Sequence, residues 1–426
     1  MTVNRGVWGA ALLLAACGGA READDSTKLG RGEAALDAAV RYQHISGFGA
    51  SSAWTLPAAS DEFADQLFSV ESGIGLSLLR VRITPEGTSD ELVTAQKAVT
   101  RGASVWAAPW SPPKEWKQNS DPANGLWGGQ LLAERRGDWA QRLADFAVSM
   151  RDAGAPLVAL SAQNEPNWTA KWETCTWSPA ELTAFVRDNL GPALMSAGVE
   201  TPILAPETND WNSLSSFANP LLQDAKAASF IGPVATHSYG GSAYNYTTPA
   251  SFGKELWETE VSDSVSTPDS GIDSALRVAS MIHQHLTVAE VSAWHYWWLV
   301  PVGNNDNSAL SANGELTRRA YALGNFSRFV RPGFTRVKVT PSPQSLVELS
   351  AFIDASGEQL VLVAINSSSS DVSQSIALSN TSVASFTPYV TSATLALEPG
   401  EPESVAGGRA SLVLPARSVT TFVSGN

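Results

Sequence analysis

The sequence predicts an α/β protein, a (β/α)8 TIM barrel with a side β-sandwich domain. Three observations predict it. Eight apolar runs of four to eight residues lie between about residues 38 and 325, as strands do. The stretches between them place apolar residues three and four apart, as amphipathic helices do. After Phe334 the helical period is lost and alternating segments take over, the pattern of an all-β unit. Eight βα units in roughly 280 residues are the size of a TIM barrel, whose functional residues lie at the C-terminal ends of its strands.

The eight barrel strands are read at 45–50, 77–83, 104–109, 156–163, 202–205, 234–239, 255–261 and 293–300, with helical segments such as 137–152 and 179–196 between them. The β-domain strands are read at 335–340, 346–352, 359–366, 374–378, 411–414 and 418–423. A further strand at 34–42 precedes the barrel and can pair with them, making the second domain discontinuous. The expected division is therefore 34–43 joining the side domain, 44–328 the barrel and 329–426 the sandwich.

Of the 426 residues, 43% are hydrophobic and 16% charged, too apolar for disorder and too polar for a multi-span membrane protein. The net charge is −14, with no basic run against it, which disfavours nucleic acid and other polyanions. Fifteen tryptophans stand against four methionines. Flat, rigid aromatic faces suit stacking on sugar rings, with core packing the alternative for each ring.

Residues 1–17 read as an export signal: Arg5, then an apolar stretch, then small residues before Cys17. Leu14-Ala15-Ala16-Cys17 resembles the bacterial lipoprotein box, in which the cysteine is acylated; an ordinary cleaved signal is the alternative. Residues 18–33 are charged and without period, as a flexible tether would be. The expected location is the envelope surface through a lipid on Cys17, the outer membrane in a diderm host, or secretion. The other cysteine, Cys175, has no His nearby in sequence and reads as an inert thiol.

At the predicted strand ends two carboxylates stand out. Glu165 closes the fourth strand in Gln163-Asn164-Glu165-Pro166, where the proline ends the strand at the barrel rim. Glu260 closes the seventh in Trp257-Glu258-Thr259-Glu260-Val261. Two acids across a cleft suit glycosidic bond cleavage, one protonating the departing oxygen while the other attacks the anomeric carbon or activates water. Glu165 is expected to carry a raised pKa and Glu260 to stay ionised. Glu258 is a rival, because residues i and i+2 of a regular strand face the same way; it is read as a deeper barrel residue. Trp54, Trp110, Trp116, Trp168, Trp294, Trp297 and Trp298 fall at or just beyond strand ends. Arg80 and Arg82 on the second strand can balance the acids, or form core ion pairs. His283 and His285 are two apart in a helical segment and do not share a face, so no metal site is read there. No cofactor is expected.

These residues carry a resemblance. Gly47-Phe48-Gly49, Ala108-Pro109-Trp110-Ser111-Pro112-Pro113, Gln163-Asn164-Glu165-Pro166, Ala205-Pro206-Glu207, Thr236-His237-Ser238-Tyr239-Gly240 and Phe329-Val330-Arg331-Pro332-Gly333 occur here in order. In that order they resemble bacterial glycoside hydrolase family 30, above all its glucuronoxylanase subfamily, subfamily 8. The resemblance implies a (β/α)8 barrel with a β-domain built from both termini, Glu165 as general acid/base and Glu260 as nucleophile, with retention of configuration. It further implies that Asn164 contacts the sugar, that Arg80 and Tyr239 orient the nucleophile, and that Trp110 and the eighth-strand aromatics line subsites. The substrate-binding set is thus Trp54, Arg80, Trp110, Asn164, His237, Tyr239, Trp294 and Trp297.

One departure matters. Family glucuronoxylanases carry an arginine after the eighth strand that pairs with the glucuronate of xylan, whereas residues 297–307 here contain no Arg or Lys. Asn304, Asn305, Asp306 and Asn307 stand there instead. The expected activity is a retaining endo-β-glycanase, first of all an endo-β-1,4-xylanase that does not require glucuronate side groups. Rival substrates are β-1,6-galactan, β-1,6-glucan and glucosylceramide. A non-catalytic carbohydrate-binding lipoprotein would need one of the two glutamates lost, and a serine esterase would need a G-x-S-x-G elbow; both glutamates are present and no such elbow occurs. The expected partner is a polysaccharide, with membrane contact only through the lipid anchor and a monomeric state.

Overall fold

A computed structural model of the chain describes residues 30, 32–120, 129–302 and 306–425. Cys17, the export signal and most of the expected tether lie outside the described residues, as do Asn304 and Asn305. The chain runs β1 (Ala34–His44), β2 (Gly47–Ser51), α1 (Asp61–Phe68), β3 (Leu78–Ile83), α2 (Leu92–Thr100), β4 (Ser104–Pro109), α3 (Arg136–Asp152) and β5 (Leu157–Ser161). It continues with α4 (Pro179–Phe185), α5 (Gly191–Ser196), β6 (Ile203–Leu204), α6 (Trp211–Gln223), α7 (Ala225–Phe230), β7 (Val234–His237), α8 (Thr248–Ser251), β8 (Leu256–Val261), α9 (Ile272–Thr287) and β9 (Ala293–Trp298).

Strands β2 to β9 form one parallel sheet in the order β6-β5-β4-β3-β2-β9-β8-β7. The barrel closes between β6 and β7 through the backbone bonds Ala205 N to Pro233 O, Glu207 N to Ala235 O and His237 N to Thr208 O. Period-two alternation sorts each strand. Trp106 and Ala108 of β4, Ala159 of β5, Ala235 of β7, Trp257 of β8 and Ala293 of β9 share the inner cluster. Val105 and Ala107, Leu160, Trp294 and Tyr296 pack outward beneath the helices. Two large indoles against several alanines fill the interior, as alternating side-chain sizes must in a barrel of this width. Gly49 serves the same packing: a Cβ there would stand 2.7 Å from His295 Cδ2 and 2.5 Å from Leu78 O.

A short hairpin, β10 (Ser311–Ala312) and β11 (Glu315–Leu316), and α10 (Arg318–Ser327) lead into the second domain. Its strands are β12 (Thr335–Val339), β13 (Val347–Ile353), β14 (Leu360–Asn366), β15 (Val372–Ser379), β16 (Ser385–Thr391), β17 (Glu398–Pro399), β18 (Glu403–Ser404), β19 (Arg409–Leu414) and β20 (Ser418–Gly425). β1 joins them, antiparallel to β12 and parallel to β15. Gly32 and Glu33, at the end of the segment read as a tether, already hold to this domain: Gly32 O accepts from Gln374 and Glu33 pairs with Arg409.

β14 is buried on both faces. Leu360, Leu362 and Ala364 enter the sandwich core, while Val361, Val363 and Ile365 pack in the barrel's core cluster. The sandwich is therefore welded to the barrel. β16 is a strand the sequence reading omits; it runs antiparallel to β20 with Pro388 opposite Phe422. A proline inside a run weakens a strand reading, since it donates no ladder bond.

Candidate active site

The rim loops continue the barrel's ladder and so place the acids. Asn164 N donates to Pro109 O, Glu165 N to Glu207 O and Glu207 N to Ala235 O. Glu165 and Glu207 take left-handed backbone conformations, φ 47° and 60°, as does Trp54 at 58°. Such conformations cost energy in bulky residues and concentrate where function requires them.

Arg80, fully buried on β3, is the hub. Its guanidinium bonds Glu260 Oε2, Asn164 Oδ1 at 2.5 Å and Glu207 Oε1 at 2.6 Å. It lies over the Trp110 ring at 4.5 Å. Tyr239 donates its hydroxyl to Glu260 Oε1 at 2.9 Å. Across the cleft, Asn209 Nδ2 donates to Glu165 Oε1 at 2.6 Å, and His237 Nδ1 stands 2.9 Å from the same oxygen. His237 Nε2 faces Glu207 Oε1 at 3.4 Å. Ligand atoms of Glu165, His237 and Glu260 all lie within 4.8 Å of one another. That bound lies below the roughly 5 to 5.5 Å of a retaining pair and well short of the roughly 6.5 to 9.5 Å that an inverting pair needs for its water.

Charge balance follows from the same contacts. Burial alone would lower His237, but Glu260, Glu165 and Glu207 push it up to about 10, so it is a cation at neutral pH. Burial would raise Glu207, but Arg80, His237 and Ser161 hold its carboxyl below the ordinary range. Three carboxyls thus face two cations, and the cluster is neutral when one carboxyl keeps a proton. General acid catalysis requires one acid of such a cluster to hold a proton. Burial raises Glu260 against the pull of His237 and Arg80, a term that the expectation of a simply ionised nucleophile leaves out. A cation does not fit among Glu165, His237 and Glu260: a protonated imidazole offers no lone pair, and the Arg80 charge already bonds Glu260.

Residues 55–250 match the glycosyl hydrolase family 30 TIM-barrel domain and 333–422 the glycosyl hydrolase family 30 beta sandwich domain. The glucuronoxylanase XynC of Bacillus subtilis (strain 168) is 31% identical over 411 residues, covering 93% of this chain and 92% of that protein. The chain belongs to glycoside hydrolase family 30. Among solved structures, the family 30 subfamily 8 xylanase Xyn30A of Clostridium acetobutylicum superposes on this family 30 enzyme with a TM-score of 0.84 at 34% identity, over 93% of this chain and all of that one. A family 30 endoxylanase from Clostridium papyrosolvens C71 gives 0.81 at 31% identity, over 92% of this chain and all of that one. The enzyme is a glycoside hydrolase.

Its structure separates the aromatic residues read at the rim. Trp54 and Trp297 are partly exposed and meet at 6.2 Å, both against Trp110. Trp110 itself is 1% exposed and supports Arg80 from beneath, so it forms no open platform. Trp294 requires correction as a substrate-binding residue. It points out of the barrel and donates its indole N–H to His285 Nδ1 at 2.9 Å, because it is one residue out of phase with the inward Ala293 and Trp297. Trp116 lies beneath Arg142. Trp168 is exposed on the loop after Glu165.

Arg82 does not reach Glu165 or Glu260; it pairs with Glu173. Asn307 is also committed, bonding the 265–269 loop through Val265 O, Thr267 O and Asp269 N. Cys175 is buried and its thiol is pushed up to about 11, which makes it inert. Glu207 and Asn209 are site residues that sequence reasoning missed. The signal for Glu207 was present, a glutamate just past the fifth barrel strand, whereas nothing local distinguishes Asn209.

Proposed function

We propose that this enzyme is an exported endo-β-1,4-xylanase that cleaves within the chain without requiring glucuronate side groups. The observation that carries the reading is the loop after the eighth barrel strand, whose sequence offers no cation for glucuronate. Residues 297–307 hold no Arg or Lys. Among the described residues, the two guanidiniums that stack on the wall, Arg80 and Arg82, are committed to Glu207 and Glu260 and to Glu173. A bidentate arginine to carboxylate pair is charge-assisted and selects strongly. Its loss favours a cleft that recognises the sugar backbone through hydroxyls and ring faces. The likeness to the Clostridium xylanase and endoxylanase supports xylan as that backbone.

The test compares purified glucuronoxylan, arabinoxylan and linear xylooligosaccharides, with products sized. Cleavage of all three at similar kcat/KM is expected. Cuts at a fixed spacing from each glucuronate, with linear oligosaccharides untouched, would overturn the reading, and activity on β-1,6-galactan alone would move it to that polymer. The lipobox at Cys17 supports attachment to the envelope. Cys17→Ser should move the enzyme from the detergent phase to the aqueous phase; equal partitioning of variant and parent would leave no anchor.

A further inference from the structure

Glu91 is an acid at the N-terminal end of α2 that does not cap its own helix. It is 1% exposed, and its carboxylate bonds two backbone N–H groups of neighbouring segments. One oxygen accepts the backbone N–H of Trp54 at 3.1 Å and the other that of Arg82 at 2.7 Å. Ser89 Oγ approaches the second oxygen at 3.5 Å.

The two residues held in this way are stacked on each other, the Arg82 guanidinium lying 5.1 Å from the Trp54 ring centroid. Arg82 is fixed at its far end by Glu173 on the loop that follows Glu165. Trp54 is fixed at its far side by Trp110, at 4.9 Å, and by Trp297. Trp54 also has φ 58°, a conformation that a tryptophan leaves unless its surroundings hold it. A buried carboxylate with two backbone donors is the one polar clamp on that turn's Trp54 N–H. Burial pushes the Glu91 carboxyl up to about 7 against those same donors, so the fold bears a cost in keeping it there.

We propose that Glu91 is a positioning residue for substrate: it holds Trp54 and Arg82 as one stacked wall of the sugar cleft and touches no sugar itself. The inference rests on the reading of Trp54 as a cleft residue. A residue acting only through this wall, whose sugar-facing ring is Trp54, changes affinity and leaves the chemistry at Glu165 and Glu260 alone.

The experiment is a double-mutant cycle of Glu91→Gln and Trp54→Ala, with KM and kcat measured on xylohexaose and thermal melts run in parallel. An amide cannot accept both N–H groups, so one clamp bond is lost while the shape is kept. Glu91→Gln should raise KM by roughly three- to ten-fold, the effect of one hydrogen bond, with kcat held. The double variant should match Trp54→Ala alone, since the two act through one contact. Glu91→Asp, which keeps both acceptors, should restore part of the affinity.

An unchanged KM in Glu91→Gln, a loss in kcat alone, or multiplying effects in the double variant would overturn the proposal. If Trp54→Ala itself leaves KM unchanged, the placement of Trp54 in the cleft falls, and the proposal with it. Should the variants not fold, hydrogen exchange on the parent decides: the peptide carrying the Trp54 amide should be protected as a buried, bonded N–H is, and exchange at the rate of an open loop would show that the clamp does not exist.

Discussion

Glu258 Oε1 accepts the backbone N–H of Glu260, two residues along the same strand, at 3.2 Å. Its other oxygen takes the N–H of His295 on the neighbouring strand at 3.3 Å. Both pairings of β8 carry an extra residue here, Thr236 and His237 standing opposite Glu258 and Glu260, and Trp294 and Tyr296 opposite Glu258 and Val261. Such a bulge breaks strict alternation and re-aims side chains. Glu258 satisfies the N–H groups that the bulge takes out of the ladder, and burial pushes its own carboxyl up to about 8.

Glu258 and Glu260 therefore part company under mutation. Glu260→Ala should lower kcat by more than about a thousandfold and recover turnover with azide, which can occupy the vacated space and attack the anomeric carbon. Glu258→Gln should lose no more than about tenfold in kcat and gain nothing from azide, the cost being that of one misplaced hydrogen bond. Azide rescue in Glu258→Gln, with none in Glu260→Ala, would reverse the assignment.

Glu165→Ala should fall by about a hundred- to ten-thousandfold on polysaccharide, the range for loss of a general acid. It should keep turnover on aryl glycosides whose leaving group needs no proton. Proton NMR of fresh product from the parent should show the starting anomer first. The opposite anomer would contradict the separation of the two carboxyls.

Two buried histidines each accept from a tryptophan indole. Trp294 donates to His285 Nδ1 and Trp106 to His295 Nε2, each at 2.9 Å. Burial pushes them down to about 4 and about 3. The unfolded chain takes up a proton on each below about 6.5, which the folded chain refuses until near those values, so stability is complete above about 6.5 and falls with pH below it. The slope is about 1.4 kcal/mol per pH unit for each histidine. Urea unfolding between pH 6.5 and 4 should show a shallower decline in His285→Gln than in the parent, and parallel declines would remove His285 from the account.

The inward and outward tryptophans of β9 should separate affinity from stability. Trp297→Ala should raise KM several-fold on long oligosaccharides, because it removes an accessible ring face. Trp294→Phe leaves His285 Nδ1 without its donor and should cost about 1 to 3 kcal/mol of stability at unchanged KM. A raised KM in Trp294→Phe would show that the outward indole reaches the cleft after all.

Much of this was legible in the sequence because its signals are local. Eight apolar runs divided by helical period mark the eight barrel strands, and all eight form. Asn164-Glu165-Pro166 marks an acid at the rim, four residues beyond the end of its strand at Ser161. The missed strand β16 carries Pro388, a breaker in sequence that the sheet tolerates opposite Phe422.

What the sequence determined by itself was the set of chemical groups and their order along the chain: two glutamates at strand ends, tryptophans beyond them, and a loop after the eighth strand without a cation. Only the tertiary structure decided which of those groups meet. Arg80 and Glu260 are 180 residues apart and share a hydrogen bond; Glu91 reaches back 37 residues to Trp54. Trp294 and Trp297 are of equal promise as letters, and strand phase sends one to the helices and the other to the cleft. The physical reason is that inward facing, proton affinity and ring exposure belong to the closed barrel: alternation is reset by a single bulged residue in β8, and the charge on His237 depends on three carboxylates contributed by three other segments.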